Sequence, residues 1–232
     1  MQILPIVHNL EQDGAAEFRF VQGTHKVPAP QGYTEYFGPP PHYSFCTDFN
    51  VEDLERTGLS QDSEQIGDTP EATMRNLFSI EMVAVNKEGY MHDMNWLNKL
   101  LDAEGPFDAV LGFSLGAAVA ATLLIDNIRR SRDSGVPSMF KMAIFMCGSP
   151  PFDLEHSGLL LADTAGQVLQ LPTVHVIGSA DPLIDFALAL YNLCDQDVAE
   201  IFDHGRGHQL IWEKRAVEDL CSLLRKKFSA AS

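Results

Sequence analysis

Basic residues are scarce in this sequence. Its 232 residues carry 16 Lys and Arg against 32 Asp and Glu, a formal net charge of −16. A chain this acidic is repelled by phosphate backbones and anionic lipid surfaces, so neither nucleic acid nor membrane is an expected partner. Cysteine is sparse as well. Cys46, Cys147, Cys194 and Cys221 show no paired spacing, which argues against a disulfide framework and fits a reducing, cytoplasmic setting. No apolar run reaches transmembrane length, and no signal peptide is evident. A P-loop, a dinucleotide fingerprint and internal repeats are all missing, so no cofactor is expected. With 45% hydrophobic residues, the whole chain, 1–232, reads as one domain with a sizeable core.

What is present centres on Gly112-Phe113-Ser114-Leu115-Gly116. The apolar run 107–111 precedes it and the small-residue helical stretch 117–125 follows. Strand, G-x-S-x-G and helix in that order form the nucleophile elbow of an α/β-hydrolase. Gly112 and Gly116 are expected to let the backbone fold back and lift the Ser114 hydroxyl above the sheet edge. The competing reading is a glycine-rich turn with a spectator serine.

Two later segments supply partners. The run 174–182 reads as a buried strand ending in a turn that carries Asp181, and 201–208 as a strand ending in a glycine-rich loop that carries His208. The order Ser, Asp, His is that of α/β-hydrolases, and each residue lies past the carboxyl end of a strand, where open parallel sheets place their sites. Ser114 needs a base within hydrogen-bond reach. His208 is the expected base and His204 its competitor. Asp181 is expected to orient the imidazole, with Asp185 close enough in sequence to compete and a plain turn before Pro182 as the bland alternative. The Leu115 N–H, first in the helix after the serine, is the expected oxyanion donor. Phe113, Leu115, Pro182 and Leu183 are expected to form apolar walls near the serine. A metal reading of His204 and His208 is weak, because the glycines between them argue against a helix and no further ligand sits at suitable spacing.

The rest of the chain alternates strands and helices, which predicts a mainly parallel sheet with helices on both faces. Helices are expected at 3–13, 115–130, 184–194 and 213–228. Strands are expected at 17–22, 107–111, 141–147, 173–178 and 198–203. Between 73 and 103 the pattern is helical with a break near Gly89, and Met91, Met94, Leu97, Leu100 and Leu101 form a core-facing stripe. Cys147 reads as a small core residue of its strand. An irregular, lid-like insertion is expected at about 24–72, rich in proline, with acids dense from Asp48 to Glu71 and read as a solvated loop. Its aromatics, Phe37 and Tyr43 among them, either anchor the loop to the core or line a substrate pocket.

These residues resemble the fungal serine hydrolase (FSH) family of the α/β-hydrolase superfamily. The likeness is carried by Gly105-Pro106-Phe107-Asp108 leading into 112–118, by Gly178-Ser179-Ala180-Asp181 and by His204-Gly205-Arg206-Gly207-His208, with 17–23 and 36–39 also similar. The resemblance implies an esterase or a polyketide-releasing thioesterase, and it places the base at His208. It also implies a first strand ending in Leu-His-Gly that supplies a second oxyanion donor. Here Met1 leads directly into 2–10, which reads as the first helix. Either the sequence starts late or half of the usual oxyanion hole is lost, and one missing donor costs about 10²–10³ in rate.

The sequence therefore predicts a serine hydrolase acting on a small-molecule ester or thioester, with an acyl carrier protein as one form of donor. The alternatives are a cyclase or lactonising enzyme on the same fold, and a non-catalytic binding protein. An uncovered sheet edge would also favour a homodimer.

Overall fold

The structure is a computed structural model that describes residues 3–28, 38–45, 67–78, 87–156 and 158–231. Four parallel strands form the central sheet in the order β3 (Ala109–Phe113), β4 (Met142–Met146), β5 (Thr173–Ile177) and β6 (Ala199–Asp203). Their register is regular, with Phe113 beside Met146, Met146 beside Val176 and Ile177 beside Asp203. β4 and β5 are buried along their whole length, which is why both read as near-continuous apolar runs.

The pleat sorts β4 by parity. Met142, Ile144 and Met146 join Val174 and Val176 in one core layer, under α1 (Leu4–Glu11) and α7 (Lys214–Ala231). Ala143 and Phe145 face the other layer, against α3 (Lys87–Glu104), α4 (Leu115–Ser134) and α6 (Ile184–Asn192). Ala117, Ala120 and Ala121 are buried at 5% exposure or less, so α4 packs closely on the sheet. A short antiparallel hairpin, β1 (His25–Val27) with β2 (His42–Ser44), and the helices α2 (Pro70–Leu77) and α5 (Ala162–Ala165) complete the described elements.

The expected strand at 17–22 is not formed. Residues 17–23 carry no regular secondary structure, while Phe18 and Val21 still pack against the two core layers. Arg19 also ties the segment to Glu104 at the end of α3, at 2.6 Å, so side chains rather than a strand ladder hold it in place. The expected stripe on α3 is also altered: Met94, Leu97 and Leu101 are buried, but Met91 is 40% exposed and the polar Asp93 and Asn98 are buried instead. Asn98 donates to Asp126 at 2.6 Å, which explains its place in the interface with α4.

Of the expected insertion at 24–72, residues 24–28, 38–45 and 67–72 are described, including the hairpin and the start of α2, and 29–37 and 46–66 lie outside the described residues. The last acid of its acidic run is not solvated. Glu71 is 6% exposed and accepts a hydrogen bond from Asn192 at 2.8 Å, joining α2 to α6. Among the described residues no helix is long and apolar enough to cross a membrane.

Candidate active site

β3 ends at Phe113 and α4 begins at Leu115, leaving Ser114 alone in the turn between them. Its backbone adopts φ 52° and ψ −123°, a conformation that costs a non-glycine residue about 1–3 kcal/mol. The turn is held because the Ser114 N–H donates to the Met146 carbonyl at 2.9 Å and the Ala117 N–H to the Ser114 carbonyl at 2.9 Å. Gly112 is what permits this closeness. A Cβ there would lie 2.3 Å from the Gly116 carbonyl oxygen and 2.5 Å from the Ala117 Cα. Gly116 carries no such demand, since a Cβ on it would meet nothing within 4 Å. Of the two glycines read as essential to the turn, only the first is sterically required.

β5 delivers Asp181 through a turn in which its N–H donates to the Gly178 carbonyl at 2.9 Å. The carboxylate is 4% exposed. Oδ1 accepts the Leu183 N–H at 2.8 Å and Oδ2 faces His208 Nδ1 at 2.8 Å. The other ring nitrogen, Nε2, lies 2.8 Å from Ser114 Oγ. With Asp181 ionised, Nδ1 carries the proton and Nε2 is left as acceptor for the serine hydroxyl. Three elements thus bring together three side chains that are far apart in the chain.

The loop carrying His208 is locked to the loop carrying Asp181. The Ala180 N–H donates to the Arg206 carbonyl at 3.1 Å. Asp203 accepts from the Gly205 N–H at 2.7 Å and the Ser179 N–H at 2.9 Å. Burial opposes its ionisation, but these backbone donors hold its carboxyl below the usual carboxylate range. Gly178 lies where the loops touch: a Cβ there would sit 1.9 Å from the Arg206 carbonyl oxygen.

The two competitors take other partners. His204 Nε2 faces the Cys147 Sγ at 3.9 Å, and its Nδ1 accepts the Arg206 N–H at 3.3 Å. Burial lowers its pKa and keeps the ring neutral, with nearby carboxylates only partly opposing. Asp185 accepts the Thr73 hydroxyl at 2.8 Å and so ties α2 to α6.

The sequence places Cys147 in the core at the end of its strand. It is buried, at 2% exposure, but it sits just past β4 with φ 43°. Its Sγ donates to the Gln209 carbonyl at 3.6 Å and lies within 4.8 Å of the facing atoms of Asp181 and His208. Burial, reinforced by the Asp181 carboxylate, pushes its thiol up to about 12, so it stays protonated beside the relay. Nothing in the local sequence distinguishes this cysteine. Its neighbourhood arises because β4 ends beside Ser114 in the sheet.

The remaining expected site residues divide. The Phe113 ring is 5.4 Å from that of His208, tilted by 40°. Leu115 begins α4, so its N–H lies outside the helix's own hydrogen-bond ladder. Leu115 and Leu183 pack on a third apolar cluster with Met74, Leu77, Phe78, Tyr90, Phe152 and Phe186. That cluster is not legible in the sequence because its members come from widely separated segments. Pro182 is exposed on the turn after Asp181. Tyr43 is 42% exposed on β2, and no hydrogen bond or ring contact links it to the triad among the described residues. Phe37 lies outside the described residues.

A parallel sheet crossed by helices, with a strained serine at a strand-to-helix turn and an acid and a histidine past the ends of two later strands, defines the α/β-hydrolase fold. The chain belongs to the serine hydrolase (FSH1) family, whose model matches residues 8–219. It is 38% identical over 113 residues to the esterase FPY3 of Fusarium mangiferae, covering 46% of this chain and 50% of that protein. Similarity to the hydrolase phiM of Talaromyces stipitatus is 23% identity across 98% of this chain and 81% of that protein. Similarity to the esterase FUS5 of Gibberella moniliformis is 33% identity, covering 46% of this chain and 40% of that protein. The chain thus matches about half the length of FPY3 or less of FUS5. A Bacillus cereus carboxylesterase aligns with 61% of this chain and 63% of its own, at 24% identity and a TM-score of 0.41. The fold assignment rests on the chain's own strand order and turn geometry.

Proposed function

We propose that this protein is a serine esterase that cleaves a small-molecule ester or thioester through an acyl-enzyme on Ser114. The observation that carries the reading is the unbroken relay from Asp181 through His208 to Ser114, each link 2.8 Å long. In this reading Ser114 Oγ attacks the acyl carbonyl and its proton passes to His208 Nε2. The imidazolium is stabilised by Asp181 and then gives that proton to the departing alcohol or thiol. Water, deprotonated by the same nitrogen, resolves the acyl-enzyme. The Leu115 N–H is the donor aimed at the developing oxyanion. Family membership and the esterase names of FPY3 and FUS5 support the same class.

The acyl group is expected to be apolar, because Leu115 and Leu183 flank the serine and the acid and connect to the third apolar cluster. A carrier-protein-bound acyl thioester, such as a polyketide chain, falls within the proposal. The test is a fluorophosphonate probe read by intact mass, with turnover of paired acyl esters and acyl thioesters. A single adduct and ester turnover, both lost in Ser114→Ala by about 10⁴-fold or more, are the expected result. A folded protein with neither would overturn the reading.

A further inference from the structure

Away from the relay, the hairpin meets α3 at a second cluster of ligating side chains. His25 on β1 and His92 and Asp93 on α3 present ligand atoms that all lie within 4.8 Å of one another. Asp93 is an acid, yet it is fully buried, at 0% exposure, on the core side of its helix. Its Oδ1 accepts from the Thr24 hydroxyl at 3.0 Å and lies 3.0 Å from His25 Nε2 and 3.6 Å from His92 Nδ1. Its Oδ2 is buried and has no hydrogen-bond partner among the described residues. A carboxylate this deep is stable only when strongly compensated, by a partner charge or a metal ion.

The spacings fit a metal. Ligands at about 2.0–2.1 Å from a tetrahedral Zn²⁺ are about 3.3 Å apart, which the two imidazole-to-carboxylate separations bracket. Two imidazoles and one carboxylate suit zinc and leave a fourth position for water, and His92, at 67% side-chain exposure, opens the cluster to solvent. The Thr24 hydroxyl bonded to the carboxylate is the kind of outer contact that orients a ligating oxygen. We propose that His25, His92 and Asp93 form a divalent-cation site of zinc type that clips the β1–β2 hairpin to α3. The backbone at Gly23 already approaches Ser44 so closely that a Cβ would lie 1.9 Å from its carbonyl carbon. The two strands of the hairpin are thus in close backbone contact next to the cluster.

The experiment is titration of the full chain with Zn²⁺, and with Co²⁺ as a spectroscopic probe, alongside His92→Ala and Asp93→Asn. Zinc at one equivalent, a melting temperature raised by several degrees and reversed by chelator, and cobalt ligand-field bands without a sulfur charge-transfer band are expected. His92 is exposed, so His92→Ala should keep its fold and its ester turnover while losing at least tenfold in zinc affinity. Asp93→Asn keeps the shape of the side chain and should lose more. Absence of binding in the folded wild type would overturn the site, as would binding that His92→Ala leaves unchanged. A cobalt band from sulfur would also overturn it, by placing the ion at Cys147, Asp181 and His208.

Discussion

His208 Nε2 and Ser114 Oγ lie 2.8 Å apart although 94 residues separate them in the chain. The contact exists because β3 and β6, at opposite edges of the described sheet, both aim their carboxyl ends at the same side. A long loop after β6 then crosses back over β5 to reach the elbow, and its fit there depends on Asp181 and Gly178.

Asp181→Asn should lower kcat by about 10⁴-fold while leaving the fold intact. The Leu183 N–H claims the amide oxygen, which turns the amide NH₂ toward His208. That NH₂ can only be met by an unprotonated Nδ1, which puts the proton on Nε2 and removes the acceptor for Ser114. Ester turnover and fluorophosphonate labelling should fall together, with an unchanged circular dichroism spectrum. Retained labelling would place the orienting acid elsewhere.

Gly178→Ala tests the contact between the two loops. Its Cβ would stand 1.9 Å from the Arg206 carbonyl oxygen, so the His208 loop must move. A loss of about 1–3 kcal/mol in stability is expected from denaturant unfolding, with a larger proportional loss in labelling rate. Gly116→Ala, where the added Cβ meets nothing within 4 Å, should be much milder in both readouts.

Cys147 should resist alkylation in the native protein despite its place beside the relay. With its thiol pushed up to about 12, the thiolate fraction at pH 8 is about 10⁻⁴. Iodoacetamide followed by peptide mapping should leave Cys147 unmodified and ester turnover intact, and the same residue should react fully after unfolding. Rapid modification of Cys147 in the folded state would contradict this.

His175 should make the protein acid-sensitive. It is buried between Phe145 and Tyr191, shares a hydrogen bond with the Thr173 hydroxyl at 3.1 Å, and burial drives its pKa down to about 3. The folded value lies below the unfolded value of 6.5, so the unfolded chain binds the proton first. Stability is therefore undiminished above pH 6.5 and falls between pH 6.5 and about 3, by at most about 1.4 kcal/mol per pH unit from this group. His175→Gln should flatten that part of the stability curve, which urea unfolding at several pH values will show.

The elements legible in the sequence were those whose signal is local. The elbow, the buried runs of β4 and β5 and the small-residue face of α4 each announce themselves over a few residues, because a buried strand or a close helix contact restricts every residue in it. Chain order does not separate His208 from His204, and in the sequence the family resemblance is what favours His208. The structure separates them by what each ring touches. The burial of Asp93 and Glu71, and the neighbours that Cys147 meets in the core, are not legible in the sequence because a polar or sulfur-bearing side chain carries no periodic signal of the partner that receives it.

By itself the sequence determined the parallel α/β framework, the turn that exposes Ser114 and the strand ends that carry Asp181 and His208. Those features follow from local steric and hydrophobic rules that act within a few residues. Tertiary structure decided which histidine faces the serine, which acid holds it, that a neutral thiol lies behind them, and that a buried aspartate meets two histidines across the hairpin. Each of those depends on the relative placement of segments distant in the chain, and only the packed sheet and its crossing loops fix that placement.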